Sequence, residues 1–167
     1  MGTVGSFEFD LAAGRSIELY RQAKDAGSPR GLIVVAIKRA SAFDEDMKPA
    51  TSLANLFTLA SGIVDEVTNG GYVRQVITST GTGQHLLPAY PTVSAGTYLP
   101  LDLPDQNWGA IASGDDWTDL IICYAPDTSG ADSTLIPLTC NHHPVSPDGS
   151  VIITPIADFL HYVNSSS

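Results

Sequence analysis

The segment Asp116–Cys140, DWTDLIICYAPDTSGADSTLIPLTC, constrains the fold more than any other part of this chain. Leu120, Ile121, Ile122 and Cys123 form an unbroken apolar run, so Thr118–Tyr124 is predicted to be a strand covered on both faces. Asp, Ser and Gly fill Asp127–Asp132, residue types that bend backbone or satisfy it locally. Thr134–Thr139, with Leu135, Ile136 and Leu138, is then the returning strand. Pro137 falls within it, which predicts one open edge there. Nothing in this hairpin is chemically reactive, and a scaffold is the first expectation.

The rest of the chain supplies partners for that hairpin. Phe7 and Phe9 alternate with polar neighbours, so residues 1–14 read as an edge strand or an arm reaching a neighbouring subunit. Ser16 is positioned to cap a helix over Ile17–Ala26, with Ile17, Tyr20 and Ala23 on one face and Gly27 as its stop. Gly31–Lys38, rich in Val and Ile, is predicted to be a buried strand. Ala42–Ala50 reads as a solvated loop. Thr51 or Ser52 caps a second helix, whose apolar stripe is Leu53, Leu56, Phe57 and Ala60, and Gly62 ends it. Asn69-Gly70-Gly71 is a turn before a strand over Tyr72–Thr78.

Three prolines interrupt Pro88–Leu103, and Pro104 follows, so any strand there is short or at an edge, with Tyr98–Leu103 the best candidate. Trp108 opens a link into the hairpin. Asn141-His142-His143-Pro144 reads as a loop, Pro147-Asp148-Gly149 as a turn, and Val151–Thr154 and Phe159–Val163 as closing strands. The expected architecture is mainly β (α+β): an antiparallel β-sandwich or barrel-like sheet with two short helices packed on one side. Residues 15–163 form one β-rich domain, and 164–167 a frayed tail.

Composition fits that reading. The 167 residues suffice for one domain, 43% are hydrophobic and only 16% are charged, the profile of a compact fold. The net charge of −10, from 18 acidic against 8 basic residues, opposes binding to phosphate backbones and anionic membranes. The N-terminal MGTVGSFEFD lacks the basic and apolar regions of a signal peptide. Leu32–Ile37, the longest apolar run, falls far short of the ~20 residues of a bilayer span. The expectation is a soluble protein made in the cytoplasm, with Asn164-Ser165-Ser166 a chance match to the glycosylation sequon.

No motif in the chain points to a chemical site. Cys123 and Cys140 lie on the two strands of the hairpin; a cross-strand disulfide is conceivable, buried free thiols are favoured, and their spacing matches no zinc motif. Asp44, Glu45 and Asp46 lack the alternation and glycine of a calcium loop. His142 and His143 are neighbours that would face opposite ways in a strand, and His85 and His161 stand alone. Asp115-Asp116 before Trp117 suggests sugar chemistry, yet a strand-capping turn explains it as well. Gly81-Thr82-Gly83 lacks the Lys-Ser/Thr of a phosphate loop, and no G-x-S-x-G elbow occurs. Trp108, Trp117 and Tyr72 are expected in the core. No catalytic, cofactor-binding or metal-ligating residue is expected.

The order of features does resemble a known group. SIELYRQAKDAG, GLIVVAI, SLANLFTLASG, EVTNGGYVRQVIT, QNWGAIA, DLIICY and PDGSVIITPI succeed one another as in small structural proteins that tailed bacteriophages encode near their head and tail genes. The EV-x-x-x-G-Y element and a Trp followed by an apolar hairpin carry the resemblance, which covers Ile17–Ile156. Pro88–Pro104 and the acidic Phe43–Asp46 depart from it. The resemblance implies a virion protein, foremost a capsid decoration (cement) protein on the outer surface of the major capsid protein shell. Its implied partners are that protein and further copies of itself, a trimer among the options, with no nucleic acid and no membrane. A tail-associated part is the close alternative. A carbohydrate- or receptor-binding sandwich using Trp108, Trp117 or Tyr98 as a stacking face is the second reading. An enzyme would need His85, His142, His143 or His161 to converge with carboxylates in one cleft.

Overall fold

The computed structural model describes residues 6–25, 27, 29–40, 43–59, 63–89 and 98–163, with backbone only at 98–101 and 157–163. Its centre is an open, antiparallel, six-stranded sheet, ordered β1 (Phe7–Glu8), β7 (Ile136–Val145), β6 (Trp117–Ala125), β2 (Gly31–Arg39) and β3 (Val64–Glu66), with β4 (Gln75–Ile77) sharing the β3 edge of β2. Two different outer strands bound this sheet, so it is not a closed barrel. A second sheet is a two-stranded ribbon of β5 (Tyr98–Ala110) and β8 (Val151–Val163). The fold is mainly β, with three helices: α1 (Ser16–Asp25), α2 (Asp44–Met47) and α3 (Leu53–Leu59).

The apolar run in β6 does what its pattern predicts. Leu120–Cys123 are all fully buried, and β2 beside it is buried at every position but Lys38. Register is continuous from Gly31↔Ala125 to Ile37↔Asp119, so odd and even residues of β6 face opposite sides. The Tyr124 hydroxyl donates to Gln22 of α1, while Arg39, on the face of Asp119 and bonded to it, donates to Asp44 of α2. Helices therefore cover both faces of the sheet, not one face as the sequence suggested. Each large aliphatic residue buried between these layers contributes about 1.5–3 kcal/mol. Gly31 starts β2 where a Cβ would lie 2.7 Å from the Ile77 carbonyl oxygen, so only glycine lets β2 and β4 close there.

Several expectations are corrected in detail. Ser16 is the first residue of α1 and its hydroxyl donates to the Ala12 carbonyl; Gly27, at φ 70°, ends the helix as expected. Residues 42–50 are not all loop: α2 forms because the Asp46 carboxylate accepts the Phe43 N–H, and Asp44 turns inward to Arg39. Ser52 caps α3 by accepting the Asn55 N–H; Ala60 and Gly62 lie outside the described residues. Of the predicted strand Tyr72–Thr78, Gln75–Ile77 forms β4 and Thr78 makes an isolated bridge to Leu86. The 141–144 segment is strand, inside β7, because Asn141 and His142 pair with Leu120 and Asp119. Trp108 is inside β5, and the two closing strands are one, β8. Pro137 is tolerated at a register shift between β6 and β7, just beyond the pairing with β1. Phe7–Glu8 take the edge-strand role; residues 1–5, 90–97 and 164–167 lie outside the described residues.

Candidate functional site

Three places gather polar or aromatic side chains. The first is buried on the α2 face of the sheet. Arg39 Nε and Nη2 donate to the two carboxylate oxygens of Asp119 at 2.7 and 2.5 Å, and Nη1 donates to Asp44 at 2.8 Å. The side chains of Arg39, Asp44 and Asp119 are at most 5% exposed. Burial alone would lower the Arg39 pKa, but its hydrogen bonds to Asp119 and Asp44 outweigh that and hold it above its ordinary value. His142 Nδ1 lies 3.1 Å from the same Asp119 oxygen that Arg39 Nη2 reaches. The pair has the form of an oriented imidazole, but Asp119 is already committed to Arg39. Cys140 hydrogen-bonds Asp119, and burial, then Asp119, pushes its thiol well up, away from a nucleophilic thiolate. The cluster therefore cross-links β2, α2, β6 and β7.

The second network lies along the β3 and β4 edge of β2, where Glu66 pairs with Ile37. Arg74 makes paired bonds to Glu66, at 2.8 and 2.5 Å, and to Asp132, at 2.5 and 3.0 Å. Those bonds, Glu66 first, raise its pKa. The Tyr72 hydroxyl donates to Glu66 and accepts the Ala36 N–H; burial, reinforced by Glu66, pushes its pKa up. Near it Cys123, a free thiol like Cys140, is raised by burial. Asp115 bridges Lys38 at 2.8 Å and the Thr68 N–H at 2.9 Å, and those bonds lower its pKa. It is a clamp between loops; Asp116 beside it is exposed.

The third place joins the ribbon to the sheet. Trp108 and Trp117 meet edge-on at 5.1 Å between centroids, and Tyr72 stacks on Trp108 at 5.7 Å. Trp117 donates to Asn69 and Trp108 to Thr154, so both buried indoles are satisfied. They are core residues, which removes the stacking face that the carbohydrate reading required of them; the Tyr98 side chain lies outside the described residues. His85 is exposed on the 3-10 turn Gly83–His85, with Nδ1 3.0 Å from the Val76 carbonyl, and is remote in sequence from His142 and His143 on β7. The side chain of His161 in β8 is outside the described set. Among the described residues no group of three His, Cys, Asp or Glu is placed to hold a metal ion.

What sequence reading missed is the far side of the ribbon. Leu103, Gln106 and Trp108 of β5 and Ile152, Thr154 and Ile156 of β8 point inward and are buried. Asp105, Asn107 and Ala110 alternate with them on β5, and Val151, Ile153 and Pro155 on β8; all six are exposed. Val151 and Ile153 are 58% and 56% exposed. The signal is the alternation along β8, which a reading as two strands, Val151–Thr154 and Phe159–Val163, interrupts. Gln84 closes the outer edge of β5 at Asn107, its side-chain amide donating to the carbonyl and accepting the N–H. Charge is uneven too: Arg74 is the last Lys or Arg of the chain, whereas nine of the 18 acidic residues follow it. No helix among the described residues is long and apolar enough to cross a membrane. No protein-family model, no curated protein and no solved structure matches the chain.

Proposed function

We propose that this chain is a bacteriophage virion structural protein, a capsid decoration protein that binds the outer surface of the major capsid protein shell and acts by docking. The observation that carries the docking role is the ribbon: a long, two-stranded element anchored by Trp108 whose outer face presents Val151 and Ile153 to solvent. The phage setting rests on the resemblance over Ile17–Ile156. Supporting the role, the arginines at the sheet are tied into networks that join separate strands, and both thiols are buried. The acidic surface favours a place away from packaged DNA. Self-association into an oligomer accompanies shell binding.

The test is composition and position in purified particles. Mass spectrometry of virions should find the chain, and surface labelling of intact particles should reach its exposed carboxylates on the head. Absence from virions overturns the structural role, and labelling confined to the tail overturns the decoration role.

A further inference from the structure

We infer that the outer face of the β5–β8 ribbon is the surface that meets the shell, and that it fits a Lys/Arg-bearing protein surface, with side chains and not added strands making the contact. This rests on the docking role proposed above and adds to it the face used and the chemistry of what that face meets.

Three observations lead there. First, the face is apolar at its middle and acidic around it. Val151 and Ile153 lie opposite Ala110 and Asn107 in register, Asp105 follows along β5, and Asp148 sits in the turn that enters β8. Exposed β-branched side chains gain by burial, and carboxylates beside them gain by meeting cations. Second, among the described residues no ion pair joins a Lys or Arg of this chain to Asp105 or Asp148. Every Lys and Arg precedes residue 75; Arg39 and Arg74 are held by Asp119, Asp44, Glu66 and Asp132, and Lys38 by Asp115. The complement must come from another molecule, and a second copy of the same acidic face would repel it. Third, the size suits one contact among many and not a stable homodimer. The part of the face whose side chains are described, residues 102–110 of β5 with their partners on β8, covers about 30 Å by 10 Å, against the ~800 Å² per partner of a standard stable interface. Repetition over a shell offsets that weakness.

Strand addition is the less suitable mode. The outer edge of β5 is closed by Gln84 at Asn107, and Pro104 and Pro155 interrupt the donors that an added strand would use. Contact through the side chains of the face needs neither edge.

The experiment adds purified protein to particles assembled without it and measures copies retained per particle as salt is raised. Wild type should be retained, less so at high ionic strength. The double variant Val151→Ser/Ile153→Ser and the single variant Asp105→Lys should unfold at the wild-type temperature, yet bind at least tenfold more weakly. Glu45→Lys, which makes the same charge change on α2, should bind as wild type. Ribbon variants that bind as wild type, or a Glu45→Lys loss equal to that of Asp105→Lys, overturn the assignment of this face while leaving the structural role standing. Wild type that is not retained at any salt overturns both.

Discussion

β6 and β8 carry similar residues to opposite ends. Each has three consecutive hydrophobic or β-branched positions, Leu120–Ile122 in one and Val151–Ile153 in the other. In β6 all three are buried, because helices and the ribbon cover the sheet on both sides. In β8 only Ile152 is buried; its neighbours Val151 and Ile153 face solvent. The strands treat charge differently too. Asp119 of β6 is fully buried and neutralised by Arg39, whereas Asp105, across the ribbon from β8, is exposed. The lesson is that composition alone does not separate a core strand from a strand with one face open to solvent. What separates them is the second covering layer and whether each carboxylate has its cation inside the fold.

Breaking the core side of this contrast should have the largest effect. Asp119→Leu leaves Arg39 buried with Asp44 as its one remaining carboxylate, and removal of one member of a buried pair costs about 3–5 kcal/mol. Urea unfolding should show that loss. The double variant Arg39→Leu/Asp119→Leu should recover part of it, since both charges leave together. A single variant within 1 kcal/mol of wild type would mean water reaches the pair and the cluster is not a core element.

The joint between the two regions comes next. Gly71 sits at φ 89°, and a Cβ there would lie 2.6 Å from the Ala110 carbonyl oxygen at the end of β5. Gly71→Ala therefore meets both backbone strain and a clash, with an expected cost of about 1–3 kcal/mol. Hydrogen exchange should quicken across Trp108–Ala110 more than across Leu120–Cys123. Equal quickening in both would show that ribbon and sheet open as one unit, and the contrast would lose its physical basis.

The same contrast explains what could be read from the residues alone. β2 and β6 are legible because their apolar runs have one physical solution, burial on both faces; the returning strand is legible only in part, since Asp132–Thr134 is a 3-10 turn and β7 runs over Ile136–Val145, buried at Pro137–Cys140. The buried tryptophans and free thiols were legible for a similar reason. The ion cluster was not. Asp119 breaks the apolar pattern next to Leu120, and Arg39 closes GLIVVAIKR, but 80 residues separate them and register alone brings them together. Asp44 was hidden in an acidic triplet that looked solvated. The ribbon is harder to read because prolines argue locally against strands, while Pro104 falls in the register shift between Leu103 and Gln106 and Pro100 pairs with His161. Helices on both faces were beyond reach, since their stripes say that they pack and not on which side.

Acid should dissect the stability in two smaller steps. His143 on β7 is held below its ordinary pKa by burial and then by the neighbouring His142. A depressed folded-state value means the folded state resists protonation. Its contribution is therefore complete above pH ~6.5 and lost as pH falls through the lower, folded value. Asp115 and Asp132 are depressed by their bonds to Lys38 and Arg74, so their contribution is complete above pH ~4 and lost below it. Denaturation midpoints measured against pH should show a shallow decline starting below ~6.5 and a second below ~4. His143→Gln should remove the first and leave the second.

The smallest effect expected is the most telling for the ribbon. Ile153→Ala removes an exposed side chain with no covering layer, and surface substitutions of this kind stay within about 0.5 kcal/mol. Ile121→Ala, on β6, should instead cost about 2–5 kcal/mol, as deletions in a packed core do. If thermal unfolding puts Ile153→Ala near the Ile121→Ala value, some other part of this chain already covers the outer face. The face would then be core, and the free apolar surface on which docking depends would not exist. If the Ile153→Ala midpoint matches wild type, the side chain contributes nothing to the fold, and the outer face stays open for the contact proposed above.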